Sequence, residues 1–108
     1  MYDNENTMKY PPETVTYPAS LIPKEDGEGF QVRFPDLPEA LAEGDDLPDA
    51  LVQAANCLAK TLARRINLAA ELPTPSKANP GQHLISFDIP PKLIRAMHER
   101  LRHRFVRE

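Results

Sequence analysis

Val15, Tyr17, Ala19 and Leu21 alternate with Thr16, Pro18, Ser20 and Ile22. This period of two is that of a strand with two different faces. Pro18 has no N–H to give to a ladder, so the strand is expected at a sheet edge, or to start near that proline. Lys24-Glu25-Asp26-Gly27-Glu28-Gly29 reads as a hairpin turn, with glycines where positive φ is needed. Phe30, Val32 and Phe34 then alternate with Gln31 and Arg33 in a second strand that Pro35 ends. A short third strand is expected at about residues 40–43, before the corner Gly44-Asp45-Asp46.

Beyond that corner the period changes from two to about 3.6. Leu47, Leu51, Ala54, Leu58 and Leu62 recur on one helical face, while Gln53, Asn56, Lys60 and Arg64 point elsewhere. Asp46 is placed to cap the first turn, with Asp49 at the capping-box position three residues on. Pro48 costs nothing there, because the first-turn N–H groups have no partner within the helix. The helix is expected to fade by Leu72, ahead of Pro73.

Residues 73–82 are rich in proline and polar side chains and read as an extended linker. A further strand places Ile85, Phe87 and Ile89 on one face and Leu84, Ser86 and Asp88 on the other. Pro90-Pro91 opens a second helix, with Leu93, Ile94, Met97, Leu101 and Phe105 as its apolar stripe. The order β-β-β-α-β-α predicts an α+β fold, an antiparallel meander with a helix packed on one face. Residues 1–13 are expected to be a loose arm, in which Met8 would also serve as a start. Residues 14–89 would form the domain, and residues 90–108 a basic amphipathic helix.

Composition narrows the class. A chain of 108 residues with 41% hydrophobic residues and no Trp supports one modest core. Twelve prolines against four glycines stiffen the connections, and the one cysteine, Cys57, rules out an internal disulfide. No apolar run approaches a membrane span and no secretory signal is present, so a cytoplasmic protein is expected. The net charge of −3 hides a segregation. Residues 25–49 carry nine carboxylates against Arg33 alone, and residues 92–108 carry six cations against two acids. Such a division points to charge-matched partners.

A search for chemistry returns little. His98 and His103 are five apart and face different sides of a helix, so no metal site is expected. Cys57 sits mid-helix, as a small apolar residue would. Neither a phosphate-binding glycine loop nor a nucleophile with a base beside it is evident. The carboxylates lie on a turn and a helix cap, where acids serve structure, rather than in a two-metal nuclease arrangement. No catalytic residue, cofactor or small-molecule substrate is expected.

The chain nevertheless carries a specific pattern. Tyr17-Pro18-Ala19, then Gly29-Phe30-Gln31-Val32-Arg33-Phe34-Pro35-Asp36-Leu37-Pro38, then Glu43-Gly44-Asp45 with Ala50-Leu51, and finally Leu72-Pro73-Thr74-Pro75-Ser76 occur in order. Together they resemble the HicB antitoxin family across residues 17–76. The resemblance implies a partial RNase H-like fold without the nuclease site. It also implies a type II toxin–antitoxin role, in which the partner is a small basic HicA-like toxin that cleaves mRNA.

A protein that grips RNA phosphate is cationic, so an acidic rim can occupy the same patch. The candidate toxin-binding residues are Glu25, Asp26, Glu28, Asp36, Glu43, Asp45 and Asp46, with Phe34 and Leu37 as apolar anchors. Each also has an ordinary structural use in a turn, a cap or the core. Ile85-Ser86-Phe87-Asp88-Ile89-Pro90-Pro91-Lys92-Leu93 is similar to the opening strand and helix of a ribbon-helix-helix, without the second helix. That strand is expected to complete the sheet, and the last helix to support a homodimer or homotetramer or to touch the toxin. The alternative is a transcriptional autoregulator that contacts operator DNA through this strand and helix. Arg95, Arg100, Arg102, Arg104 and Arg107 would then meet phosphate.

Overall fold

The computed structural model of the chain describes residues 7–8 and 11–106, the last seven of these as helix backbone only. Its elements run β1 (Thr7–Met8), β2 (Thr14–Pro23), β3 (Phe30–Phe34), β4 (Leu37–Gly44), α1 (Leu47–Asn67), β5 (Leu72–Pro73), β6 (His83–Asp88) and α2 (Pro91–Val106). The expected order β-β-β-α-β-α is present as β2-β3-β4-α1-β6-α2, with the two-residue strands β1 and β5 added. Four strands form an antiparallel sheet in the order β4-β3-β2-β6, and β1 pairs with β5 in a ladder of its own.

β2 is an interior strand, not an edge. It accommodates Pro18 by dividing its length between two neighbours. Thr14 to Ala19 pair with β6, and Ser20 to Pro23 pair with β3. At Pro18, which is buried, the ladder to β3 has not begun, so no strand on that flank calls for its N–H. The strand similar to the start of a ribbon-helix-helix is β6, and its ladder is made with β2 of the same chain, from Thr14↔Asp88 to Ala19↔His83. On the outer face of this ladder Thr14 Oγ1 donates to Asp88 Oδ1 at 2.7 Å, and the Thr16 and Ser86 hydroxyls share a bond of 2.7 Å.

β4 starts three residues earlier than the pattern predicts. A register shift at Arg33 and Phe34 brings Phe34 opposite Leu37, leaving only Pro35 and Asp36 in the turn. Proline suits that position because its fixed φ is pre-set for the second residue of a tight turn.

α1 lies across the inner face and buries Ala50, Ala54, Leu58, Thr61, Leu62 and Ile66. This face is rotated from the expected one, because Leu47 is 42% exposed and Ala50 takes its place against the sheet. The core joins these residues to Val15, Tyr17, Ala19, Val32, Phe34, Leu37, Ala40, Leu72, Ile85 and Ile89. α1 stops at Asn67 rather than near Leu72. Ala69 turns left-handed at φ 62°, its N–H donates to the Ile66 carbonyl at 3.0 Å, and the Ala70 N–H donates to the Arg65 carbonyl at 2.8 Å. That pair of bonds is a Schellman cap with alanine where glycine is usual. α2 begins at Pro91, whose missing N–H would have had no partner in the first turn. Leu93, Ile94 and Met97 pack against the edge of the core.

Candidate functional site

The acids divide between the two ends of β4. At about 3.3 Å per residue, this eight-residue strand sets Asp36 and Asp45, just beyond its two ends, roughly 25 Å or more apart, while Glu39 and Glu43 within it are about 13 Å apart.

The first group gathers where the β2–β3 hairpin meets the corner between β4 and α1. The hairpin closes with Lys24 N–H donating to the Gly29 carbonyl at 3.0 Å and Gly27 N–H to the Lys24 carbonyl at 3.0 Å. Asp26 Oδ1 accepts the Glu28 N–H at 2.9 Å, which fixes the tip. Pairing of Phe30 with Gly44 then brings this tip beside the corner. Two glycines make the approach possible. A Cβ on Gly29, already at φ 107°, would overlap the Gly44 carbonyl oxygen, and one on Gly44 would run into the Ala50 backbone.

At the corner Asp46 caps α1 with extended φ and ψ, its Oδ1 accepting the Asp49 N–H at 2.9 Å. The return bond of a capping box is displaced by one residue. Asp49 Oδ2 accepts the N–H of Asp45, at 2.8 Å, rather than that of Asp46. Lys24 sits among these acids. Its Nζ bonds Glu43 Oε1 at 2.5 Å, and that bond, with Asp26 and Asp45 nearby, raises its pKa above the ordinary lysine value. Glu25, Asp26, Glu28, Glu43, Asp45 and Asp46 are all exposed, so one cation stands within a broad acidic surface.

The second group serves the fold. Asp36 is half-buried and accepts both the Ser76 N–H, at 2.9 Å, and the Ser76 hydroxyl. Beside it the Tyr17 hydroxyl donates to the Pro73 carbonyl at 2.6 Å. Burial, and next the negative charge of Asp36, push the Tyr17 phenol up to about 12. The residues of the Pro35-Asp36-Leu37 and Pro73-Thr74-Pro75-Ser76 motifs therefore meet as a clasp across the sheet end. Glu39, also at this end, takes a bidentate pair from Arg65 of α1, at 2.5 and 2.9 Å, and that bond holds its carboxyl below the ordinary value. Phe34 and Leu37 are 1% and 0% exposed, so both are core side chains with no surface to offer a partner.

Sequence reasoning missed Lys24 and Ser76. The signal for Lys24 lay in the register of two ladders, since Glu43 pairs with Gln31 of β3 and β3 pairs in turn with the end of β2 just before Lys24. For Ser76 it was the Pro-x-Pro-Ser motif itself, whose stiff backbone can hold a serine at a fixed distance. Of the arginines proposed to meet nucleic acid, Arg95 is exposed on α2. The side chains of Arg100, Arg102 and Arg104, and all of Arg107, lie outside the described residues. Among the described residues there is no group of three or more His, Cys, Asp or Glu that could hold a metal, and no helix long and apolar enough to cross a membrane.

These features define a small α+β module that presents ordered carboxylates at one end of its sheet. Residues 16–94 match the model of a family described as the HicB-like antitoxin of bacterial toxin–antitoxin systems. The chain belongs to this HicB-like antitoxin family. It is 33% identical over 69 residues to Antitoxin HicB of Escherichia coli (strain K12), covering 64% of this chain and 49% of that protein. It is 46% identical over 46 residues to Antitoxin HicB 1 of Photorhabdus laumondii, covering 43% and 29%, and 36% identical over 64 residues to Antitoxin HicB 2 of the same organism, covering 59% and 45%. The matches thus span half or less of the length of these relatives.

Proposed function

We propose that this chain neutralises a small basic HicA-like mRNA-cleaving toxin by presenting its acidic sheet end to the toxin's RNA-binding surface. The observation that carries the reading is the assembly of Asp26, Glu43 and Asp45 about Lys24 on a hairpin and corner fixed by backbone hydrogen bonds. Carboxylates held in place before encounter lose little freedom on binding and steer a cationic partner toward them. The contact set is Glu25, Asp26, Glu28, Glu43, Asp45 and Asp46. Asp36 lies at the other end of β4, where it holds Ser76, and is outside this contact set.

The reading extends to a partial RNase H-like fold, to a cytoplasmic protein, and to a homodimer or homotetramer built through α2. Operator contact through α2 is the alternative. The ordered acidic corner supports the toxin reading over it, whereas β6, paired with β2 on one side only, favours neither.

Co-expression with the small basic protein of the adjacent reading frame tests both. A stable complex and restored growth are expected. Reversing charge at Asp45 together with Glu28 to lysine should weaken the complex by about tenfold or more, with the melting temperature unchanged, since neither side chain is buried. Unchanged affinity in the double variant would reject the site. A sequence-specific DNA shift by the chain alone, with no toxin complex, would favour the operator reading.

A further inference from the structure

We propose that the groove between β4 and α1 receives a second copy of this chain, with the two α1 helices antiparallel about a two-fold axis at the level of Ala54 and Ala55.

The groove, of about 670 Å³, is lined by residues of β4 and α1, with Gln53, Asn56, Lys60 and Arg64 on its helix side. With Asp49 these recur every three or four residues, so they share one side of α1, away from the buried Ala54, Leu58 and Leu62. The strand side offers no free charge, because Arg65 holds Glu39 and Lys24 holds Glu43. The helix side does. Lys60 and Arg64 are exposed, and among the described residues their side chains make no ion pair and no hydrogen bond. Two acids stand at the opposite end of the same helix. The Asp45 side chain is exposed, and the Asp49 carboxylate, with two bonds accepted, keeps lone pairs for more.

The spacing of these charges selects the occupant. Asp45 and Asp49 precede the point between Ala54 and Ala55 by as many residues as Arg64 and Lys60 follow it. One antiparallel register therefore sets Asp45 opposite Arg64 and Asp49 opposite Lys60, twice over, with Gln53 opposite Asn56. A parallel pair would set acid beside acid and cation beside cation, which is unfavourable. The middle of the contact is apolar. Cys57 Sγ donates to the Leu41 carbonyl at 3.5 Å, which fixes Leu41 beside α1 within a turn of the axis, and its side chain is 63% exposed. Val52, 56% exposed, is as near the axis on the flank away from the groove. Across the axis each meets its own counterpart, as an isologous contact requires. A foreign partner would have to reproduce this charge spacing, whereas a second copy already carries it. β4 and α1 line the groove, so this contact is separate from any made through α2.

Cys57 lines the groove and is the one cysteine of the chain, so its alkylation reports the contact. Alkylation should slow about tenfold as protein concentration rises through the range of dimerisation. Arg64→Glu and Asp45→Arg should each remove most of that slowing, and each should weaken association about tenfold or more in sedimentation velocity. The double variant, in which the ion pair is reversed, should regain both. Both positions are exposed, circular dichroism would verify the fold, and Lys60→Glu probes the second pair in the same way. Arg64 is outside the toxin contact set, so its variant tests the self-contact without touching that reading. An alkylation rate independent of concentration, single variants that behave as the unchanged chain, or a double variant that regains nothing would each overturn the proposal.

Discussion

Ala69 holds the left-handed residue that ends α1, at φ 62°. An L-residue with a Cβ pays about 1–2 kcal/mol for that conformation, and glycine does not. Ala69→Gly is therefore expected to stabilise the domain by about 1 kcal/mol, after glycine's greater freedom in the unfolded chain is set against the gain, as thermal unfolding would show. Tyr17 gives the second expectation. Its folded pKa, about 12, lies above the unfolded value of 10.0, so the neutral phenol belongs to the folded state. The stability that it contributes is fully present below pH 10 and is lost as pH rises from there through 12. Tyrosinate absorbance should show one phenol ionising late, and denaturant unfolding should weaken over the same interval. Legibility at this scale depended on how local the cause was. The Asp46 cap was readable because it involves four consecutive residues. The exposure of Leu47 was not, because a leucine beside an alanine does not reveal which one the sheet covers.

The clasp between the turn after β3 and residues 73–76 is an interaction between segments forty residues apart. Asp36→Ala removes both bonds to Ser76 and should cost about 1 kcal/mol. Limited proteolysis should then cut within residues 74–82 sooner than in the unchanged chain, with β-sheet content kept. Strands β2, β3 and β6 were readable from alternation alone, and the hairpin from its glycines. β1 and β5 were not, since each has two residues and their pairing of Thr7 with Pro73 has no local signature. The early start of β4 was hidden behind Pro38, which reads as a breaker yet sits where an edge strand needs no donor.

At the scale of the whole molecule, charge segregation in the sequence pointed to a charged partner but not to its location. The nine carboxylates of residues 25–49 look like one run. Only the antiparallel return of the chain reveals that some hold the fold while others face outward together. Distances along the chain could not separate Asp36, committed to Ser76, from Asp45, open to solvent. The family pattern was legible because its prolines and glycines sit at turns, and turns are where backbone geometry restricts residue choice most strongly.

The way β2 shares its length has a mechanical consequence. Because Thr14 to Ala19 hold β6 and Ser20 to Pro23 hold β3, the domain contains a seam. Detaching β6 together with α2 would leave the β2–β3 hairpin, β4 and their ladder connected. Amides of His83–Asp88 should exchange hydrogen faster than those of Phe30–Phe34, and a chain caught with the seam open would still display its acidic corner.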